Sequence, residues 1–586
     1  MRSSSQIVAT GHRHDGWRRQ LRLTMTRLGS LSLALALGLG ACGGAKSSDG
    51  TGGSGGGAGA VGTGGSGGSR GTGGSGGADT GGSGGTVAPP TSCPLPLDPV
   101  DTSTPDHLVG TGSAASCSEA AFRAAAALGG KITFNCGGAA TIALTQTVDL
   151  PTTLDTTIDG GNQITLDGGG KVRLLRFNDP NYRTSRVTVT LQQLALSNGR
   201  STGTALPAAP APCSQGTDTD GGGAAIYVRN GVLHVIDSVF ANNNAPALGP
   251  DVGGGGIYAL GSLGVIVEGS TFTGNSGSNS GAIGMLNSDL QVIDSVFSGN
   301  KALGSGENTI DTSKCSVRGG EIGNGGNAGA IGIDGGDDGS DTFCGDTFMD
   351  NVANELGGVL GRTPDQAEQT TSFNLCTFAG NKAKNGGALY LHNSDLVITG
   401  STFSGNSATG SGAIQADGTT FDFTNVTFSG NSATDGLGGA LALFGNGGTI
   451  VNCTFAGNTA PAGSGFFAAA ISGGTALTIR NTIFAGNTTM DCGSPMACSA
   501  GASTGDGNVQ WPMVHAVCSG ADTPCTPSTT FADAMLGPLQ DNGGDTQTQL
   551  PAAGSPALGI GVNCPATDQR GMPRPKTGCA AGAVQP

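Results

Sequence analysis

Four aspartates lie within eight residues of this chain, in the segment Asp-Gly-Gly-Asp-Asp-Gly-Ser-Asp. Carboxylate oxygens in a glycine-rich turn are ligands that suit Ca²⁺. The spacing matches neither an EF-hand loop nor the calcium nonapeptide of repeat toxins, so the segment predicts either a weak Ca²⁺ site or a solvated acidic turn. No other metal or cofactor is expected. The four residues are Asp334, Asp337, Asp338 and Asp341.

Catalysis on a glycan would need further groups. Glycoside hydrolysis uses two carboxylates that face a cleft, and Asp237 and Asp294 hold equivalent places in a repeated Val-Ile-Asp-Ser-Val-Phe. Gly or Asn replaces this Asp in most other copies, which favours a turn residue over a catalytic one. A lyase would also need a base, but Arg229, Arg318 and Arg362 share no repeat position. The sequence therefore predicts no catalytic residue.

The elements that position these side chains follow from a repeat. Phe-x-x-Asn occurs nine times between residues 240 and 487, and the copies at Phe378, Phe403 and Phe428 precede the next copy by 25, 25 and 27 residues. A fixed period of this size indicates one structural unit stacked on copies of itself. The short β-branched runs between copies, bounded by Gly, Asn, Asp and Ser, are typical of strands and corners. We therefore predict an all-β solenoid, a parallel β-helix with three short strands in each coil.

Equivalent residues of stacked coils lie about 4.8 Å apart, so each repeat position forms a ladder. We predict that the phenylalanines stack as one column inside the shaft. The asparagines should stack at a corner, amide on amide, and satisfy the backbone of the turns. The residue three before each Phe is Gly, Asn or Asp in eight of nine copies, which predicts a left-handed corner there. The predicted ladder residues are Phe378, Asn381, Phe403, Asn406, Phe428, Asn431, Phe455 and Asn458.

Residues 1–41 are predicted to be a lipoprotein signal peptide. Several arginines precede an apolar run at 28–40, which ends at Ala41-Cys42. This junction resembles the lipobox of bacterial lipoproteins, which implies cleavage before Cys42 and attachment of lipid to it. Gly43 stands where an Asp favours retention in the inner membrane. The resemblance therefore implies a bacterial outer-membrane lipoprotein exposed at the cell surface or, as the alternative, facing the periplasm.

The rest of the chain divides by composition. Residues 42–87 repeat Gly-Gly-Ser and Gly-Gly-Thr, which predicts a flexible linker with an r.m.s. span of roughly 35–40 Å. Residues 88–130 form a lead-in and a helical cap, with a capping box that starts at Ser116 and a helix over 120–128. Residues 131–510 hold the coils, and residues 511–586 form a C-terminal capping region.

Cysteine number indicates an oxidising compartment. Without Cys42 there are 14 cysteines left of 15, and an even number in an exported chain predicts disulfides. Cys376 and Cys453 occupy the same repeat position three coils apart, too far to bond, and are expected to be buried fillers. Cys213 and Cys315 form another possible pair. The pairs closest in sequence are Cys117/Cys136, Cys492/Cys498, Cys518/Cys525 and Cys564/Cys579.

The net charge and the insertions limit the kinds of binding partner that are expected. The net charge is −15, with no basic stripe, so nucleic-acid binding is not expected. Three insertions leave the coil at the same place, after Asn198, Asn243 and Asn300, before the next Gly-Gly-Ala step. Insertions that crowd one edge of a repeat protein form a binding surface in some proteins and are neutral loops in others. Both interpretations stay open.

Several motifs resemble known families. The repeat reads Thr-Phe-Ser-Gly-Asn-Ser-Ala at 427–433 with Gly-Gly-Ala at 438–440, and resembles the repeat of polymorphic outer-membrane proteins. The tail, with Leu-Gly-Pro-Leu at 536–539, Asp-Asn-Gly-Gly at 541–544, Gly-Ser-Pro-Ala at 554–557, Asp-Gln-Arg-Gly at 568–571 and Pro-Arg-Pro at 573–575, resembles the choice-of-anchor Q domain. The resemblance covers about residues 116–586. It implies a right-handed β-helix in a secreted or surface protein, and most members have no assigned chemistry. The ending at 579–583 departs from the usual acidic, aromatic one, which leaves the N-terminal lipid as the expected anchor.

Two functions follow as expectations. The first is a lipid-anchored surface β-helix with a non-catalytic role in adhesion, glycan binding or structure, whose partners are the outer membrane and an extracellular polysaccharide or surface protein. The alternative is a polysaccharide lyase or glycoside hydrolase of the pectate-lyase-like β-helix type. A convergent cluster of Asp with Arg or Lys in a groove would favour the enzyme. A smooth ladder of Gly, Ser, Thr and Asn would favour binding.

Overall fold

The computed structural model describes most of the chain after the linker. The described residues are 92–202, 221–249, 252–307, 310–311, 320–321, 325–335, 340–363, 369–417, 420–436, 438–445, 447–461, 468, 470–473, 477–490, 494–499 and 503–586. Cys42, Cys213, Cys315 and Cys492 lie outside them. Among these residues, no helix is long and apolar enough to cross a membrane.

The chain winds into a β-solenoid of about 12 turns, which confirms the predicted all-β parallel fold. Three parallel sheets run along the shaft, and a short antiparallel pair, Ile310–Asp311 with Gly320–Glu321, lies in the third insertion. The largest sheet, sheet A, bends at a corner into two faces, A1 and A2. Going once around a coil, the chain passes sheet B, face A1, face A2 and the narrow sheet C.

The strand bounds repeat this order along the chain. Sheet A begins with His107–Val109, Gly130–Phe134 and Ala140–Ala143, followed by the long strands Thr156–Asp167 and Thr188–Ser197, which span both faces. The other strands of face A1 are Val232–Ile236, Gly264–Glu268, Leu290–Ile293, Asp341–Cys344, Gln369–Asn374, Ser394–Thr399, Thr420–Thr424, Gly447–Val451 and Thr478–Arg480. Those of face A2 are Val239–Ala241, Thr271–Thr273, Val296–Ser298, Thr347–Met349, Thr377–Ala379, Thr402–Ser404, Thr427–Ser429, Thr454–Ala456, Ile483–Ala485, Val509–Trp511 and Thr530–Phe531.

Sheets B and C complete each coil. The strands of sheet B are Val148–Asp149, Leu175–Asn178, Ile226–Arg229, Ile257–Leu260, Ile283–Leu286, Ile331–Asp334, Leu360–Thr363, Leu389–His392, Ile414–Asp417, Leu441–Phe444 and Ile471–Ser472. Those of sheet C are Ser276–Gly277, Lys301–Ala302, Val352–Ala353, Lys382–Ala383, Ser407–Ala408, Ser432–Ala433, Thr459–Ala460 and Thr488–Thr489.

The corner between faces A1 and A2 is left-handed in all nine coils that carry the repeat. The residue three before each Phe has φ between +47° and +74°, a region that Gly, Asn and Asp tolerate best. Asp237 and Asp294 belong to this set, so both are corner residues, as the sequence indicates. Leu375, the exception by residue type, adopts the same conformation with φ of +55°.

The phenylalanine column is continuous through the shaft. Successive rings from Phe240 to Phe484 stack with centroids 4.2 to 5.2 Å apart. All nine side chains are at most 1% exposed. Each coil therefore places its phenylalanine ring on the ring of the coil below. Stacking of the rings adds a favourable interaction energy to the energy gained by burying their surface.

The asparagine ladder confirms the predicted corner. In the link between Asn381 and Asn406, the Nδ2 of Asn381 donates to Oδ1 of Asn406 at 2.9 Å and to the carbonyl of Phe348 in the preceding coil at 3.0 Å. The backbone N–H of Asn381 donates to the same Oδ1 at 3.1 Å. Eight such links join Asn243 to Asn487. One amide therefore satisfies turn backbone in two coils.

A helix closes the first coil, with a boundary that differs from the prediction. It spans Glu119–Ala126, and its N-cap is Ser118, whose hydroxyl accepts the Ala121 N–H at 3.2 Å. Ser116, the predicted cap, instead ends a 3₁₀ turn at Ala114–Ser116. The hydroxyl two residues later reaches the free N–H groups of the first turn, so it takes the capping role.

The described disulfides agree with two of the four pairs predicted from closeness in sequence and contradict the other two. Cys117–Cys136 and Cys564–Cys579 are bonded, as paired from the sequence. The other two pairs are wrong, because Cys498 bonds to Cys525, 27 residues away, and Cys518 bonds to a residue other than Cys525. A separation of 27 residues equals one repeat, so this bond joins adjacent coils. Cys376 and Cys453 are free and buried, as expected.

The segment before the helix forms an N-terminal strap, residues 92–106. It starts in the middle of the shaft, where Cys93 is bonded to Cys344, 251 residues away. It then follows the corner between faces A1 and A2 towards the helix. Along this path Leu97 N–H donates to Glu268 Oε2 at 3.3 Å and Val100 N–H donates to Gln192 Oε1 at 2.9 Å. The chain therefore enters the fold at mid-shaft rather than at the end closed by the helix.

The tail forms a C-terminal strap, residues 532–586, along the corner of the last coils. Three corner residues hold it through their side-chain amides: Asn425 donates to the Thr567 carbonyl at 2.8 Å, Asn452 to the Ala580 carbonyl at 3.0 Å and Asn481 to the Val562 carbonyl at 2.9 Å. The corner is Asn in these three coils in a row, because there the residue must adopt positive φ and also bind the strap.

Loss of one ladder amide is expected to destabilise the shaft. Asn406→Ala leaves buried partners unsatisfied on both neighbouring coils, at a cost of about 3 kcal/mol. The measurement is the urea midpoint followed by circular dichroism. Asn354→Ala is the control, because Asn354 is exposed and its hydrogen bond to the Leu303 carbonyl lies at the surface, where water can replace it. Equal midpoints for the two variants would contradict a structural role of the ladder.

Pulling on the chain tests the entry point of the N-terminal strap. With the chain held at its two ends in a single-molecule force experiment, the Cys93–Cys344 bond keeps 251 residues out of the extended length. The Cys117–Cys136 bond lies inside this segment and stays closed in the variant, so 232 of these residues are released when Cys93 and Cys344 are replaced. With Cys213→Ser/Cys315→Ser introduced in both chains, the chain that keeps Cys93 and Cys344 should therefore extend roughly 770–840 Å less than the Cys93→Ser/Cys344→Ser variant, at about 3.3–3.6 Å per residue. Equal contour lengths would show that Cys93 is not bonded at mid-shaft.

Candidate functional site

The acidic turn of the sequence lies between sheet B and face A1. Asp334 ends the strand Ile331–Asp334, and its Oδ1 accepts the Gly335 N–H at 2.9 Å. Asp341 begins the next strand, and its side chain is only 3% exposed. Asp337 and Asp338 lie outside the described residues. The structure therefore separates the two described aspartates, with Asp334 partly exposed and Asp341 inside the shaft.

Asp341 forms a buried ion pair with Arg362. Asp341 Oδ2 lies 2.8 Å from Arg362 Nε, and the Arg362 side chain is 2% exposed. Asp341 Oδ1 accepts the Leu290 N–H at 3.2 Å, and Arg362 Nη2 donates to Gln369 Oε1 at 2.7 Å. Arg362 occupies an inward column of sheet B between Ile333 and Leu391. The pair therefore bridges sheet B and face A1 across the core.

Burial controls the electrostatics of this pair. It raises the pKa of Asp341 to about 6, although Arg362 acts in the opposite direction. It also lowers the pKa of Arg362, which Asp341 in turn raises. A carboxylate and a guanidinium that have lost their water hold each other ionised near neutral pH. Neither group is exposed to a polymer outside the shaft, so the pair has a structural role.

Metal binding is not supported by the geometry of the described side chains. Within the described ranges, no three His, Cys, Asp or Glu side chains are grouped so that they could hold a metal ion. Asp341 is engaged by Arg362, which leaves Asp334 as the described member near the surface of the turn. Ca²⁺ at this turn stays a prediction that depends on Asp337 and Asp338.

The third insertion is held to the shaft by a charged contact that sequence analysis missed. Glu355 Oε1 accepts the Gly306 N–H at 2.8 Å, and Glu355 Oε2 lies 2.6 Å from Lys384 Nζ. Burial, with Glu355 nearby, raises the pKa of Glu307, and the hydrogen bond to Glu355 raises the pKa of Lys384. The base of this insertion is therefore fixed in place at the edge where sheets C and B meet.

A polar depression of about 310 Å³ lies beside the first coil. It is lined by glycines, Asn135, Gln163 and Asp159. The Asp159 carboxylate accepts from Thr102 Oγ1 at 2.6 Å, Gln192 Nε2 at 2.9 Å and the Gly161 N–H at 2.9 Å. These contacts with the N-terminal strap and the coil account for this carboxylate, so the depression lacks a free charged group.

The outer face of sheet B carries a different set of side chains. His392 and Asp417 pair across adjacent coils, Nδ1 to Oδ1, and are 25% and 22% exposed. Asp417 is in register with Phe444 of the next coil, which is 41% exposed. Tyr390 lies beside Gln415 and is 5% exposed. We name these five residues the sheet B patch. The separation of 25 residues between His392 and Asp417 equals one repeat, a signal that was present in the sequence.

A comparison with protein families agrees with this geometry. Residues 365–510 match the family model for a right handed beta helix region. The shaft is a right-handed parallel β-helix. The matched stretch contains the sheet B patch and most of the coils that the C-terminal strap covers. No match was found among curated proteins. The comparison supports the β-helix fold and leaves the choice-of-anchor Q and polymorphic-protein resemblances as expectations.

The buried pair of the β-helix is expected to behave as a unit. Arg362→Leu alone leaves a carboxylate in the core and should destabilise the protein by about 3–5 kcal/mol. Asp341→Leu/Arg362→Leu places leucines beside Leu391 and Leu290 and should recover most of that loss. The measurement is the urea midpoint of each variant. If the double variant were as unstable as Arg362→Leu alone, the two side chains would stabilise the fold by more than the neutralisation of each other's charge.

The same variants give a pH dependence with a defined sign. The folded state holds a proton on Asp341 up to about pH 6, whereas the unfolded chain releases it near its ordinary pKa of 3.8. The protonated carboxyl group of Asp341 therefore makes its full contribution to the free energy of unfolding below pH 4, and this contribution is lost as the pH rises to 6. The wild type should lose stability across this interval relative to the double variant. A constant difference between them would contradict the raised pKa.

Proposed function

We propose that the chain is a lipid-anchored, surface-exposed β-helix with a non-catalytic role in adhesion or glycan contact. The observation that carries this proposal is the inward position of Asp341 and Arg362, both at most 3% exposed. These residues have the types that polysaccharide cleavage would need, but a polymer outside the shaft does not reach them. Apart from Leu375, the left-handed corner residues of the nine repeat coils are Gly, Asn and Asp, which serve the coils themselves.

The entry point of the chain lies on the corner between faces A1 and A2. The N-terminal strap enters at Cys344, half-way along the shaft, at the A1/A2 corner. In the order of the coil, face A1 lies between this corner and sheet B, and face A2 lies between it and sheet C. The insertions leave the coil at the edge between sheets C and B. A tether attached through Cys42 would therefore join the folded part at the N-terminal strap.

The alternative, a polysaccharide lyase or glycoside hydrolase, requires an accessible carboxylate with a base or a bound metal. Two places offer such groups: the acidic turn with Asp337 and Asp338, and the partly exposed pair of Asp417 and His392 in the sheet B patch. The two functions differ in one readout, which is the release of product from the polymer.

Bacterial cells that express the full chain provide the test. Cells are incubated with polygalacturonate, alginate, xylan or cellulose, with and without Ca²⁺, and reducing ends and unsaturated uronates are measured. We expect no product and capture of the cells by at least one polymer. Cys42→Ser should release the protein into the medium and abolish capture, whereas Ser47→Ala, in the same linker, should behave as the wild type. Product that is lost in Asp337→Asn/Asp338→Asn would overturn the non-catalytic role.

A further inference from the structure

The outer face of sheet B changes character along the shaft. Each four-residue strand directs its first and third side chains into the core and its second and fourth outwards, as the burial of Leu389 and Leu391 shows. In the coils at 283–286, 331–334 and 360–363, the second position is Gly284, Gly332 and Gly361. In the next coils it is Tyr390 and then Gln415. The same column holds Tyr227 and Tyr258 in the coils before these glycines. Large side chains are therefore interrupted over three coils and return at Tyr390.

The fourth outward position adds a second column beside the first. It runs His392, Asp417 and Phe444 over three successive coils. Because coils are spaced about 4.8 Å apart, the column is about 10 Å long. The Phe444 ring is 41% exposed at one end, and the imidazole of His392 lies at the other. An aromatic ring, a carboxylate and an imidazole are thus aligned on a flat, rigid face.

Contacts within the protein fix these side chains in position. Asp417 Oδ1 contacts His392 Nδ1, and Gln415 Oε1 accepts from Ser411 Oγ at 3.1 Å. Tyr390 is 5% exposed and therefore rigid, and burial beside Asp417 raises its pKa, so the phenol stays a hydrogen-bond donor. The second oxygen of Asp417 and the Nε2 edge of His392 belong to groups that are about one-quarter exposed. The patch is thus preorganised and accessible to a ligand.

The chemistry of the patch fits a sugar. A pyranose ring has an apolar face of C–H groups and an edge of hydroxyls, and an exposed aromatic ring packs against the apolar face. A carboxylate accepts from two hydroxyls, while an imidazole and an amide fix their orientation. The net charge of −15, together with Asp417 at the centre of the patch, disfavours uronate polymers. A neutral glycan offers the apolar ring face and the hydroxyls that the patch can bind, and it carries no charge that Asp417 would repel.

We propose that the sheet B patch, formed by Tyr390, His392, Gln415, Asp417 and Phe444, binds neutral glycan chains. Phe444 stacks on one sugar ring, and Asp417 and His392 bind the hydroxyls of the adjoining unit. The proposal rests on the non-catalytic role proposed above and names its ligand class. The flat face leaves both ends of the bound chain free, so the site takes an internal segment of a polymer as well as an end.

Binding of oligosaccharides to the full chain in detergent micelles tests the patch. The probes are cellohexaose and laminarihexaose as neutral chains and hexagalacturonate as the anionic one, measured by isothermal titration calorimetry. We expect binding of at least one neutral probe, with a Kd at least tenfold tighter than that of hexagalacturonate. Phe444→Ala and Asp417→Asn should each weaken that binding at least tenfold. Met490→Ala removes a side chain that is 74% exposed outside the patch and should leave it unchanged.

The other outcomes separate the patch from the broader function. Because Phe444 and Asp417 lie on the surface, their variants should keep the wild-type urea midpoint, which excludes unfolding as the cause of lost binding. Equal affinity of Phe444→Ala and the wild type would overturn the patch, and capture of cells by polymer would then still support adhesion. Tighter binding of hexagalacturonate than of the neutral probes would contradict the proposal that the ligand is a neutral glycan. Dimers that dissociate in Phe444→Ala, seen by sedimentation without glycan binding, would assign the patch to a second copy of the chain and overturn the proposal.

Discussion

The structure depends on how each parallel coil provides hydrogen-bond partners for the backbone groups of its turns. Each coil must reverse direction several times, and the backbone groups at those corners are buried by the coils above and below. The asparagine ladder solves this with one side chain, because Asn406 donates to Asn431 and to the Phe378 carbonyl while its oxygen accepts from Asn381. A coil without this amide would leave polar groups unpaired in two places. The phenylalanine stack and the left-handed corner can then repeat with little variation.

Charge is placed according to the same constraint. An inward position is surrounded by other coils, so a charged residue there needs a partner within the core. Asp341 and Arg362 provide this for each other. Outward positions keep some contact with water, and there His392 and Asp417 form a pair that is still partly exposed. The direction of a side chain, more than its type, therefore decides whether it is available to a ligand.

The two straps cover the corner between faces A1 and A2. The N-terminal strap covers the corner from mid-shaft to the helix, and the C-terminal strap covers it over the last coils. Corner residues such as Asn425 and Asn481 serve both the coil and the strap. This double use explains why the corner is Asn in three coils in a row. It also means that the tail cannot be removed without exposing backbone groups at several coils at once.

The sequence by itself determined the coil, the Phe and Asn ladders, the left-handed corner and the burial of Cys376 and Cys453. These features are periodic, and a period of about 25 residues fixes which residues lie above one another. Only the tertiary structure decided the bond of Cys93 to Cys344, the pairing of Cys498 with Cys525, the inward direction of Asp341 and the patch around Asp417. These depend on which coil lies opposite a strap and on which face a side chain points to. A strand shifted by one residue would reverse that direction, and composition and spacing alone did not fix it at Asp341.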